Sequence, residues 1–189
     1  MEKIRRGDLF TPEQYAKILT EERKRIIEIK KERRVSSRTF SYLFENRDTI
    51  LNQINEMIYV ENVHDENEIE HLLNTYNQIV PEKNEFSITM FIEIPDEQIL
   101  MKEMKRLVGI EDSVYLAFGD NELKAIPEEG RSTESLESTL QYLRVKFSMG
   151  DAEKFRNSKN AFITTKHKNY SESAQIPEKL LEELKKEIY

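Results

Sequence analysis

Nine residues carry the chemistry this sequence could perform. Glu45, Arg47, Gln53, Glu56 and Glu61 share one stretch, Glu129 and Arg131 flank Gly130, and Tyr142 and Arg144 lie on one face of a later segment. Their groups are carboxylates, guanidiniums, an amide and a phenol. Carboxylates and phenols trade protons, and a guanidinium can fork onto a bound anion. The same groups, buried as Glu–Arg pairs, hold elements together, and breaking such a pair costs several kcal/mol. From the residues alone both readings stand: an internal ionic network, or a polar pocket for a small anionic ligand.

Other chemistries are excluded or unsupported. The chain has no cysteine, hence no disulfide, thiolate nucleophile, iron–sulfur ligand or cysteine zinc site. Five glycines form neither a P-loop nor a Gly-x-Gly-x-x-Gly fingerprint, and no Gly-x-Ser-x-Gly elbow occurs. The histidines are His64, His71 and His167. His64 and His71 are two helical turns apart, roughly 10 Å, too far to share a metal. Glu68-Ile-Glu-His71 has the Glu-x-x-His spacing of di-iron bundles, but that signature needs a second copy and two more glutamates. A solvated helix face is the expected state there, no metal site is expected, and the residues name no cofactor.

The elements that must position the nine residues are legible. Asn46 is a good N-cap, Asp48 suits the positive end of a helix, and Ile50, Leu51, Ile54, Met57 and Ile58 recur at helical spacing. Arg47 and Glu61 fall on that same apolar face. Fourteen residues separate them, roughly 21 Å along a helix, so each needs another partner or must reach into water. Thr11-Pro-Glu-Gln14 predicts a capped helix running to about Lys31. Val35 to Phe44 reads as one strand with Phe40, Tyr42 and Phe44 on one face. Asp65 caps a further helix that Pro81 stops. Phe86 to Ile94 is the clearest strand, and Asp96 opens another helix. Val114–Phe118 and 122–126 make a hairpin, 127–134 a loop, and 139–147 a strand. A short helix at 151–156, a strand at 161–165 and a helix after Pro177 follow. The fold class is α+β: a largely antiparallel β-sheet covered by helices in a single compact domain.

The net charge of −7 hides an asymmetry. Residues 1–38 hold 12 Lys/Arg against 7 Asp/Glu, and residues 39–189 hold 17 against 29. Residues 1–34 therefore read as a basic N-terminal helical arm on an acidic α+β body, 35–189, in the same folding unit. Such an arm folds back on the body or reaches a second subunit, so a homo-oligomer is expected. Its cations end a helix whose dipole is negative there, which explains them without nucleic acid; nucleic-acid binding through this helix is kept as the weaker alternative. No apolar run approaches the length of a membrane helix and no secretory signal leads the chain, so no membrane partner and a cytoplasmic location are expected.

Several motifs occur together in order: Leu43-Phe-Glu-Asn-Arg-Asp-Thr49 with Gln53 and Glu56-Met57, Thr75-Tyr-Asn77 with Pro81, and Phe91-Ile-Glu-Ile94. Arg106-Leu-Val-Gly-Ile110, Glu129-Gly-Arg-Ser132 and Tyr142-Leu-Arg144 complete the set. In combination the chain resembles the bacterial and archaeal family known as domain of unknown function 3501. Where that family reads Ala-Val-His-Tyr-Leu-Arg-Phe, this chain has Thr139-Leu-Gln-Tyr-Leu-Arg-Val145, so Gln141 replaces an imidazole. The resemblance implies an accessory role beside redox or peroxide-metabolism proteins, with a redox protein as partner. An accessory binding protein is thus one expectation, and an enzyme or sensor using the Glu/Arg/Tyr pocket the other.

Overall fold

Local hydrogen bonds fix the helix ends as the sequence predicts. In the computed structural model, which describes residues 1–128 and 139–189, Thr11 accepts from the Gln14 amide while Gln14 accepts from the Thr11 amide, opening helix α1, Pro12–Glu32. Asn46 and Thr49 make the same reciprocal pair, each 3.0 Å, at the start of helix α2, Arg47–Val60. Asp65 accepts from the Asn67 and Glu68 amides to start helix α3, Glu66–Asn77. The far end of α2 closes on Asn62 in the left-handed region, φ 51°. The Val63 amide then reaches the Ile58 carbonyl at 2.9 Å and the Asn62 amide reaches Tyr59 at 3.3 Å, so the last carbonyls are satisfied.

Chain contacts gather the described residues into two units, Met1–Arg33 with Glu45–Glu82, and Arg34–Phe44 with Lys83–Tyr189. The basic N-terminal segment, up to Arg33, therefore groups with α2 and α3. The first residues are stitched to the end of α3: Ile4 and the Asn77 side chain exchange two 2.8 Å bonds, and Lys3 donates to the Asn77 carbonyl at 2.6 Å. That lysine sits where the helix dipole is negative.

The second unit holds the strands, in two antiparallel sheets where the sequence suggested one. Strands β1 (Arg34–Ser36), β2 (Phe40–Phe44), β3 (Glu85–Ile92), β6 (Ile126–Pro127) and β7 (Leu140–Lys146) form the first, in the order β1-β2-β3-β7-β6. Strands β4 (Val114–Phe118), β5 (Asn121–Lys124), β8 (Ala161–Lys166) and β9 (Ser171–Gln175) form the second, in the order β5-β4-β8-β9. Helices α4 (Glu97–Glu103), α5 (Met149–Asn157) and α6 (Glu178–Glu187) complete the unit. The α+β class and the antiparallel pairing hold.

Val35 to Phe44 is a hairpin, not one strand. The Ser37 amide reaches the Phe40 carbonyl at 2.8 Å, and the turn sets Val35 opposite Tyr42. Phe40, Tyr42 and Phe44 do face the core, together with Phe86, Ile88, Met90, Leu143 and Val145. From the second sheet Leu116, Phe118 and Ile163 join them, and α6 adds Leu180, Leu181 and Leu184. Gly119 at φ +52° makes the two-residue turn between β4 and β5. Strand β9 was not foreseen, because Ser-Glu-Ser-Ala-Gln buries Ala174 alone and shows no apolar alternation. Among the described residues no helix is long and apolar enough to cross a membrane.

Phe155 is fully buried, with the rings of Phe86, Phe118 and Phe147 at 5.2–5.5 Å. Phe155→Ala is expected to lower stability by about 3–5 kcal/mol, whereas Ala at the exposed Met149 changes it by less than about 0.5 kcal/mol. Urea unfolding of the two variants measures the contrast.

Candidate functional site

Helix α2 buries polar groups every third residue: Thr49, Asn52 and Asn55. Each finds a partner. Asn55 accepts from the Phe10 amide at 3.1 Å. Asn52 donates to the Tyr15 hydroxyl at 2.9 Å, and that hydroxyl donates to Glu56 at 3.0 Å. Arg23, eight residues beyond Tyr15 on α1, closes a fork on both Glu56 oxygens at 2.9 and 2.8 Å. The fork holds the Glu56 carboxyl below the usual carboxylate range against the opposing cost of burial, and the Tyr15 hydrogen bond adds to it. Burial, then Glu56, pushes the Tyr15 phenol far above its ordinary value. Glu56 is thus locked as an anion and Tyr15 as a neutral phenol, and neither is poised to exchange a proton near neutrality.

The other predicted residues are engaged in the same manner. Glu45 is buried, receives the Thr49 hydroxyl, and lies 3.3 Å from the Gln53 amide. Arg47 pairs with Asp8 at 2.6 Å, and that aspartate also accepts from the Arg5 amide at 2.7 Å. Asp8 thus answers Arg47, as Arg23 answers Glu56. In the strand unit Tyr142 lies opposite Thr89, and Arg144 opposite Ser87. Arg144 binds the buried Glu85 and also Glu128, the latter at 2.8 Å. Burial opposes its charge, and the two carboxylates more than restore it. Glu129 and Arg131, with most of the expected 127–134 loop, lie outside the described residues. Gln141, where the family pattern has histidine, is opposite the core residue Met90 and buried.

Of the described candidates, then, Glu45 and Gln53 come together, while Arg47, Glu56 and Arg144 are taken up by partners outside the set. Sequence reasoning missed Tyr15, Arg23, Asn52, Asn55, Glu85 and Glu128. The spacing of Thr49, Asn52 and Asn55, three residues apart and beside the apolar stripe, is the signal by which the buried polar face could have been found. Among the described residues no group of three or more His, Asp or Glu could hold a metal ion.

Grooves are open among the described residues. One, of about 390 Å³, has Met57, Val63 and Leu72 as apolar walls with Glu61, Glu68 and His71 beside them. Another, of about 650 Å³, runs along α4 past Glu97, Gln98, Met101, Lys102 and Lys105. On the same segment of chain Ile99, Met101 and Val108 are 51%, 57% and 62% exposed. The 3-10 turn after α4 is anchored by Asn169, which donates to the Arg106 carbonyl at 2.9 Å, and by Tyr170, whose hydroxyl donates to Glu103. Burial and that carboxylate push the Tyr170 phenol up to about 12.

A helical unit built on a polar-cored α2 and a two-sheet antiparallel unit, both without a metal cluster among the described residues, define the class of protein. The chain belongs to the family described as protein of unknown function (DUF3501), which it matches over residues 3–188. It is similar to the crystal structure of a novel protein of unknown function from Burkholderia pseudomallei K96243, at 31% identity and a TM-score of 0.92, with 100% of each chain covered. No curated protein matches the chain.

Tyr15→Phe strands the buried Asn52 amide and is expected to cost about 1–3 kcal/mol. Because the native Glu56 pKa is depressed, its contribution is full above the ordinary carboxylate pKa and is lost as pH falls through the lower native value. The wild type should therefore lose more stability than Arg23→Gln on acidification from neutrality. Urea midpoints across a pH series test both statements.

Proposed function

We propose that this chain is an accessory binding protein, not a catalyst, and that it works in the cytoplasm beside redox or peroxide-metabolism proteins. One observation carries the reading: among the described residues Glu45, Arg47, Glu56 and Arg144 are spent inside the fold, while the α4 segment presents lysines that are not. Lys102 and Lys105 have no hydrogen-bond or ion-pair partner among the described residues, and exposed Ile99, Met101 and Val108 lie near them in the chain. Cations beside exposed apolar groups suit the rim and centre of a protein interface. The face fits a partner with an acidic rim and an apolar centre, and the redox setting is what the family resemblance implies.

The rival readings gain less support. A fork for an anionic ligand needs a free guanidinium, and Arg144 is shared between Glu85 and Glu128. On α1 Arg23 serves Glu56 and Arg25 serves Glu22 and Asp48, so the guanidiniums of the basic helix are already engaged by the fold.

The test is capture from native extract at low salt, run with the wild type and with a Lys102→Glu/Lys105→Glu variant, and read by mass spectrometry. The expected outcome is a redox protein held by the wild type, released by salt, and lost with the variant. An identical set of captured proteins from both baits, or none from either, counts against the reading.

A further inference from the structure

We propose that the groove between the end of α2 and the body of α3 is a separate docking site, which takes a partner segment bearing an apolar side chain flanked by lysine or arginine. It lies in the helical unit and asks for chemistry opposite to that of the α4 face.

The groove is preformed. Asn62 and Val63 close α2 through two backbone bonds to Tyr59 and Ile58, and Asp65 immediately caps α3, so the connection leaves the two helices in one fixed relation. Met57, Val63 and Leu72 form an apolar floor, on which an apolar side chain would leave water. Met57 adds an unbranched, polarizable side chain that adapts to what it touches.

Charge decides the flanking residues. Five acids of this unit are answered by arginine: Glu66 by Arg6, Glu56 by Arg23, Glu22 and Asp48 by Arg25, Asp8 by Arg47. Glu61 and Glu68, both at the groove, have no such partner among the described residues. Glu61 is also the C-cap of α2, whose last turn contains no basic residue. A carboxylate there adds to the negative end of the helix dipole, an unfavourable arrangement that a cation from outside relieves. The groove therefore offers a ligand cation two carboxylates and a helix C-terminus next to an apolar floor. His71 lines the same groove.

The probe is a short fluorescein-labelled peptide of leucine and lysine, with a leucine/glutamate peptide as its counterpart, followed by fluorescence anisotropy with the full chain. The lysine peptide should bind and the glutamate peptide should not. Glu61→Lys/Glu68→Lys should weaken binding roughly tenfold or more, and added salt should weaken it as well. Met57→Gln should weaken binding while leaving its salt dependence unchanged. Glu153→Lys/Glu178→Lys makes the same change of net charge on the strand unit and should leave binding as it is. Equal loss with both double variants would mean that general attraction to an acidic protein is all there is, and equal binding of the two peptides would remove the charge argument. Neither result touches the α4 reading, whose test uses other residues.

Discussion

The hydroxyl of Tyr15, wholly withdrawn from solvent, must both give and receive a hydrogen bond, and it finds Glu56 and Asn52 on facing turns of α2. A buried hydroxyl or amide without a partner is costly, so only one relation of α1 to α2 serves. Rotating either helix by one residue turns its side chains by about 100° and breaks both contacts. Arg23 falls two turns beyond Tyr15 on the same face and completes the charge balance on Glu56. Apolar burial by Ile50, Ile54 and Ile58 drives the helices out of water without choosing among registers. The polar row chooses.

Arg144 plays the comparable part in the strand unit. Between Glu85 and Glu128 it ties β3 and β7 to the segment after β6, in a register that also sets Lys146 opposite Glu85. A buried carboxylate such as Glu85 is tolerable only with such company. The functional consequence is subtractive. Once the fold has claimed many of its carboxylates, guanidiniums and phenols, the ionic groups at the two described grooves include lysines along α4 and glutamates at the end of α2 and on α3. Both sets lie against apolar surface, a combination that suits recognition of another molecule better than proton transfer within a closed site.

How much could be seen beforehand differs by element. Thr11 with Gln14, Asn46 with Thr49, and Asp65 with Glu68 are caps whose partners lie within three residues, so a linear reading finds them. The hairpin at 35–44 escaped because its turn, Ser36-Ser37-Arg38-Thr39, has no glycine, proline or asparagine to interrupt the pattern. Strand β9 escaped because a polar strand has no periodic signature; its place is set by pairing with β8. Of the candidate residues Glu45 and Gln53 meet through space, whereas Tyr15 and Arg23, which join Glu56, looked along the chain like part of an amphipathic stripe and a basic tail.

By itself, then, the sequence determined where helices begin, which strand faces are apolar, which chemistries are absent, and that charge would crowd the start and flank of α2. Those properties are local or periodic, carried by neighbours within a turn or a pleat. The tertiary structure alone decided which charge meets which. Arg23 and Glu56 are 33 residues apart, and Arg144 and Glu85 are 59 apart. A pair that forms through space across such distances leaves no spacing to read along a single chain. Whether a glutamate becomes a buried strut or an open contact is settled only when the elements pack.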